Sequence, residues 1–286
     1  MAFDEIIAQR CSHAIDLLYV DSWQDELQRF RSHLAFRGLS NSAYDLQTSL
    51  MRLGGPFAEL ERHLLRNFRK YARRADADES YSDWKWPTIG QHYGLPTRLL
   101  DWTYSPFAEL HFATSSIEKF DCDGAIWRVD YTKAHRQLPE ALKEQQSYSG
   151  SDVFTIGMID RAASTLAHFD TLATEPFAVF FEPPSLDDRI VNQFALFSVL
   201  STPLLTFDAW LSQNRELCRR IIIPGRVKWE IRDKLDQANL TERVFFPGLD
   251  GLAAWLRRHY SPRIQGALAN APLRPNSQEA AGERQP

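Results

Sequence analysis

Hydrophobic and polar positions change period several times along this chain, and each change marks an expected element. Apolar residues at helical spacing run through DEIIAQRCSHAIDLL (4–18) and SWQDELQRFRSHL (22–34), which predicts two helices. Asp21 or Ser22 would cap the second, with Glu26 in its first turn. LAFRG then reads as a short strand. Pro56 can open a helix, and in the following FAELERHLLRNFRKYARR the positions Phe57, Leu60, Leu64, Phe68 and Tyr71 share one face at 100° per residue. Arg62, Arg66, Arg69 and Arg73 lie opposite, as a solvated face or as a stripe able to grip phosphates. ADADESYSD is a polar connection.

Beyond it, TRLLDW, GAIWRVD, FAVFFEP, FALFSV and RRIIIP are apolar runs with turn-forming or charged flanks, the pattern of strands. Ser105-Pro106 opens a helix through PFAELHFATSS, since proline is tolerated in a first turn. VKWEIRDKLDQA and DGLAAWLRRHY predict the last helices. Helices and short strands interleave without a regular βαβ rhythm. The fold class expected is therefore α+β, a compact mixed sheet of short strands with surrounding helices. Three parts are expected: a helical segment over 1–30 packed on the domain, a domain over 31–260, and a disordered tail over 261–286 without periodicity.

Composition narrows the classes. A hydrophobic share of 44% and an aromatic share of 12% fill a substantial core. The net charge of −4 gives no overall pull toward nucleic acid or anionic membrane. No run of about 18 apolar residues occurs, and the start lacks a basic-then-apolar leader, so a cytoplasmic protein without membrane contact is expected. Cys11, Cys122 and Cys218 are scattered, against both a disulfide framework and a cysteine zinc site.

Common nucleotide-binding, metalloprotease and hydrolase motifs are absent. Candidate chemistry rests on combinations. Arg37 offers a planar fork of donors to an anion, and Gly38 lets a ligand approach the backbone; a structural arginine, paired with Asp45 or another acid, fits equally. In GQHYGLPTRLLDWT, His92 is a general base or a structural histidine, and Arg98 with Asp101 would form a buried pair shaping the loop. Trp84, Trp86 and Trp102 could stack on a base, or fill the core. Glu182 ends an apolar strand, where a carboxylate offsets a cationic transition state if it faces a cleft. Gln193 opens the next strand and could bond sugar hydroxyls. Glu109 and His111 are two apart on a helix and face different ways, and the other histidines are isolated, so no metal is expected.

FRG at 36–38, GQHYGLPTRLLDWTYSPFAELHFA at 90–113, FEPPSLDDRIVNQFALFSV at 181–199 and the segment 222–256 occur in that order. Together they resemble the FRG domain, a bacterial and phage-associated family, over roughly 30–260. One departure is Ala195 in Gln193-Phe194-Ala195-Leu196-Phe197, where the family usually has glycine. The layout is also similar to that of ADP-ribosyltransferases. That similarity implies NAD as substrate: Arg37 on the pyrophosphate, Gly38 on the nicotinamide amide, Thr103 or Ser105 on the ribose, and Gln193 in place of the catalytic glutamate. Cleaving the nicotinamide–ribose bond builds positive charge that a neutral amide offsets poorly, so Glu182 or Asp101 would have to supply the carboxylate. The resemblance thus implies a transferase or NAD glycohydrolase, a toxin or antiphage effector. Its acceptor would be protein or nucleic acid, and an antitoxin or sensor would be its partner. The alternative is a non-catalytic nucleotide- or nucleic-acid-sensing module. A third reading is a nuclease or other hydrolase with His92 as base and Arg98 or Arg37 on the phosphate.

Overall fold

The computed structural model describes residues 3–72 and 82–263. Its strands in chain order are β1 (Glu5–Ile7), β2 (Trp23–Gln24), β3 (Arg29–Phe30), β4 (Leu34–Leu39), β5 (Leu100–Thr103), β6 (Gly124–Asp130), β7 (Phe154–Thr155), β8 (Ala178–Glu182), β9 (Ala195–Leu200) and β10 (Cys218–Ile223). The helices are α1 (Cys11–Tyr19), α2 (Phe57–Tyr71), α3 (Lys85–His92), α4 (Pro106–Ala113), α5 (Tyr131–His135), α6 (Glu140–Ser149) and α7 (Ile156–Ala162). They continue with α8 (Leu166–Asp170), α9 (Asp188–Asn192), α10 (Phe207–Gln213), α11 (Gly225–Gln237), α12 (Glu242–Phe245) and α13 (Leu249–His259). Among the described residues no helix is long and apolar enough to cross a membrane. The expected tail beyond residue 263 and most of the polar connection at 75–83 lie outside the described residues.

Eight strands form one mixed sheet in the order β1-β10-β6-β4-β5-β9-β8-β7, with β1 parallel to β10, β7 parallel to β8, and the other pairs antiparallel. The expected α+β class and mixed sheet are present. Alternation along each strand sorts its side chains onto two faces. On one face Ala35, Trp102, Trp127, Phe180 and Leu196 build a core that spans the sheet and is closed by Phe207 and Trp210 of α10. The opposite face carries two separate cores. Phe36, Ile126, Ile221 and Ile223 pack under α1, α4 and α11. Val179, Phe181, Phe197 and Val199 pack under Trp84 and helices α6 to α8.

The division between those two cores falls between β4 and β5. These strands pair at a single position, Phe36 with Thr103. Arg37 with Trp102 and then Gly38 with Asp101 would follow in register, and neither pair forms. Gly38 N–H donates instead to the Glu109 carboxylate, and the Asp101 carbonyl accepts from Arg37 Nη1 at 2.5 Å. Side chains have replaced the ladder, and the sheet opens there.

Three local expectations are corrected. The helix expected over 22–34 is a hairpin of β2 and β3, with Trp23 opposite Phe30 and their rings 5.1 Å apart. Asp21 and Gln28 have φ of 60° and 49°, which a right-handed helix does not allow. Asp21 meets the buried Arg128 at 2.6 Å instead of capping a helix. Residues 5–7 are an edge strand rather than helix, because β10 supplies a parallel partner. In α2 the buried positions are Glu61 and Leu65, while Leu60 and Tyr71 of the expected apolar face are exposed. Conversely no element is expected over 85–92, in a stretch rich in glycine and proline, yet α3 forms there and includes Trp86 and His92.

Candidate functional site

A cleft of about 320 Å³ opens where β4 and β5 part. Arg37, Gly38, Thr103, Gln193, His92 and Asp101 all line it, together with Glu109. Of these, Thr103 and Gln193 are joined directly: the threonine hydroxyl donates to the Gln193 carbonyl at 2.6 Å.

Glu109 explains both the glycine and the gap. It sits in α4, whose flanking Ala108, Leu110 and His111 are all buried, and is itself 4% exposed. A Cβ on residue 38 would stand 2.3 Å from the Glu109 carbonyl oxygen and 2.8 Å from its carboxylate. Glycine is therefore needed for the approach of α4, and its N–H is held by Glu109 rather than available to a ligand amide. Burial pushes the Glu109 carboxyl up to about 8, with Arg37 and the Gly38 N–H pulling it back and Asp101 adding to the rise. At neutral pH such a group is largely protonated and can donate a proton into the cleft. The available signal for Glu109 was an acid inside a short helix apolar on every side.

Burial pulls the Arg37 guanidinium below its ordinary range, partly restored by Asp101 and Glu109. One nitrogen bonds the Asp101 carbonyl, the Asp101 carboxylate lies 4.0 Å away, and the buried Nε has no hydrogen-bond partner among the described residues. A largely buried cation in the wall of an open cleft is a ready anion hook. The Asp101 side chain is half exposed and takes a hydrogen bond from Gln91 at 3.0 Å. His92 Nε2 lies 2.9 Å from Asp187, whose carboxylate also caps α9. The Gln193 amide donates to the Phe245 carbonyl at 2.9 Å and Asn192 to the Val244 carbonyl, fastening α9 to α12. After Gln193, Phe194 takes φ +48°.

Other candidates lie elsewhere. Ser105 caps α4 by accepting from the Ala108 N–H at 3.2 Å. Glu182 is outside the lining and accepts from the Tyr104 hydroxyl at 3.1 Å. Arg98 does not pair with Asp101; it bonds Glu61 through Nε at 2.8 Å and Asp170 through Nη1 at 2.5 Å, and stands in the wall of another groove. Trp84 and Trp102 are core residues whose indole N–H groups reach the Ala163 carbonyl at 2.6 Å and the Ser198 hydroxyl at 2.8 Å.

Fold and site together define a mixed α/β protein with a charged cleft at an interrupted sheet junction. The model of the FRG domain family matches residues 32–122, a segment that holds β4, β5 and α4 with Arg37, His92, Asp101, Thr103 and Glu109. The chain therefore carries an FRG domain. No curated protein and no solved structure matches it.

Proposed function

We propose that the cleft binds the nicotinamide–ribose end of NAD and that the chain transfers ADP-ribose to a macromolecule, or to water, as a toxin or antiphage effector. The observation that carries this reading is the convergence of Arg37, Thr103 and Gln193, together with the Asp101 carboxylate and the buried Glu109 carboxyl, on one cleft. Arg37 would hold the pyrophosphate through the part of its guanidinium that lines the cleft. The C1′–N bond breaks with its electron pair leaving on nicotinamide, and positive charge grows on the ribose. Asp101, which lines the cleft where Glu182 does not, would offset that charge. An acceptor hydroxyl then bonds C1′ and gives its proton to His92, which Asp187 orients.

Release of nicotinamide from NAD labelled in that ring tests this, with protein, RNA, DNA and water as acceptors. Asp101→Asn should lower release by about 100-fold or more without moving the melting temperature, and Arg37→Ala should lower it as far with some loss of stability, since its guanidinium also holds the Asp101 carbonyl. No release with any acceptor overturns the reading. One observation favours a second one, a nucleotide-sensing module: Gly38 N–H, Thr103 Oγ and the Gln193 amide are already bonded within the protein. Saturable calorimetric binding of NAD or ADP-ribose without turnover would support that alternative.

A further inference from the structure

A concavity larger than the cleft lies on the far side of α3. It holds about 990 Å³ between α2 and α8, with Trp86 on its wall and Arg62, Arg66, Arg69 and Lys70 along one side. Its acids are Glu59, Glu61, Asp83 and Asp170. Most of the acids are already matched. Glu61 and Asp170 neutralise the buried Arg98, and Asp83 holds Arg69 at 2.5 Å. That leaves Arg62, Arg66 and Lys70 against Glu59 alone. No hydrogen bond or ion pair engages Arg62 or Arg66 among the described residues, and both side chains are exposed. Successive members of this row are one helical turn apart, a rise of about 6 Å.

We propose that this groove is a track for the phosphodiester backbone of nucleic acid. Several points separate it from an ordinary solvated helix face. The arginines border a concave groove rather than a convex surface, and low-dielectric walls focus their field into it. The Arg69 guanidinium is fixed between Asp83 and the Trp86 ring, whose centroid is 5.6 Å away, so this side of the groove is preformed. The triad of Arg98, Glu61 and Asp170 anchors α2 and α8 to the start of β5, so both walls are held at a fixed separation. A small metabolite fits the groove less well than a strand, because the free charges are spread along the helix instead of converging. The inference stands apart from the NAD reading. α3 joins the two sites, since Trp86 borders the groove and His92 borders the cleft, about 9 Å along its axis.

Fluorescence anisotropy with labelled twelve-nucleotide RNA, single-stranded DNA and duplex DNA, from 50 to 200 mM salt, tests the proposal. At least one probe should bind, and Arg62→Glu with Arg66→Glu should weaken it by at least about tenfold. The log–log salt slope should fall by about two phosphate contacts. Arg136→Glu, at an exposed position that lines neither the groove nor the cleft, should bind like the unaltered chain, which separates the groove from general surface charge. The milder Arg62→Gln with Arg66→Gln should give an intermediate loss, and circular dichroism melts keep folding in view. Absence of binding to all three probes at 50 mM salt, or equal binding by the double glutamate variant, overturns the proposal. Comparison of the RNA and DNA arms tells which backbone is carried.

Discussion

Gly38 illustrates how a single residue can be legible in its type and not in its reason. Its place beside Arg37 suggests a backbone open to ligand. The structure shows a backbone pressed against α4, with the N–H held by Glu109. A methyl group there must displace helix backbone rather than the tip of a flexible side chain. Gly38→Ala should therefore destabilise the fold by about 1–3 kcal/mol, read as a lower urea midpoint at unchanged slope. An unchanged midpoint would mean that α4 can withdraw. Arg37 was legible as an anion hook, whereas Glu109 was not, because the carboxylate matters only once α4 packs over the β4–β5 junction.

At the scale of elements, strand patterns predict the structure well and helix patterns only where burial follows the apolar stripe. Six apolar runs became β4, β5, β6, β8, β9 and β10, since alternation places their residues in cores on both faces. α2 departed from its stripe. Leu60 and Tyr71 are exposed, and the helix is held by Glu61, an acid, because Arg98 arrives from 37 positions away to meet it. Arg98 and Glu61 are 6% and 7% exposed, so this pair is shielded from solvent and sensitive to losing a partner. Glu61→Ala would leave Arg98 with Asp170 alone and should cost about 3–5 kcal/mol, measured by equilibrium urea unfolding. The same variant should loosen α2 and weaken nucleic-acid binding, whereas Arg62→Glu with Arg66→Glu should weaken binding at unchanged stability. Residues 23–30 form a hairpin against their helical periodicity because ring packing, with left-handed Asp21 before the hairpin and Gln28 within it, outweighs periodicity in a short segment.

Across the whole molecule, burial of titratable groups sets how stability varies with pH. Burial holds His111 down to about 3 and His135 down to about 4, both from an ordinary 6.5. His135 Nε2 accepts from the Phe180 N–H at 3.0 Å, and His111 Nδ1 accepts from Arg232 at 2.8 Å, so protonation there breaks a bond. The unfolded chain thus binds more protons than the folded one from about pH 6.5 downward. Stability should fall on acidification through this window, by up to about 1.4 kcal/mol per pH unit for each histidine. Glu109 acts with the opposite sign. Its folded value of about 8 against an ordinary 4.5 means that stability present at low pH is lost as pH rises from 4.5 through 8. Two histidines outweigh one carboxyl on the acid side, so urea-derived stability should peak near pH 6.5. Glu109→Gln should flatten the decline above the peak, and a decline unchanged in that variant would show that Glu109 is not its source.

What the amino-acid order determined alone was local: the strand segments, the Ser105 cap before Pro106, the enriched aromatic core, and the residues that belong to an FRG domain. These follow from side-chain alternation and from bonds between near neighbours, which carry their meaning within a few positions. The cleft and the groove were decided only by tertiary structure. Arg37 reaches Asp101 across 64 positions, Gly38 reaches Glu109 across 71, and Thr103 reaches Gln193 across 90. Strand order places β4 beside β5 and then breaks their ladder after one pair, so chemistry appears where packing forces side chains to take over backbone hydrogen bonds. That substitution depends on which elements meet, and no local pattern encodes it.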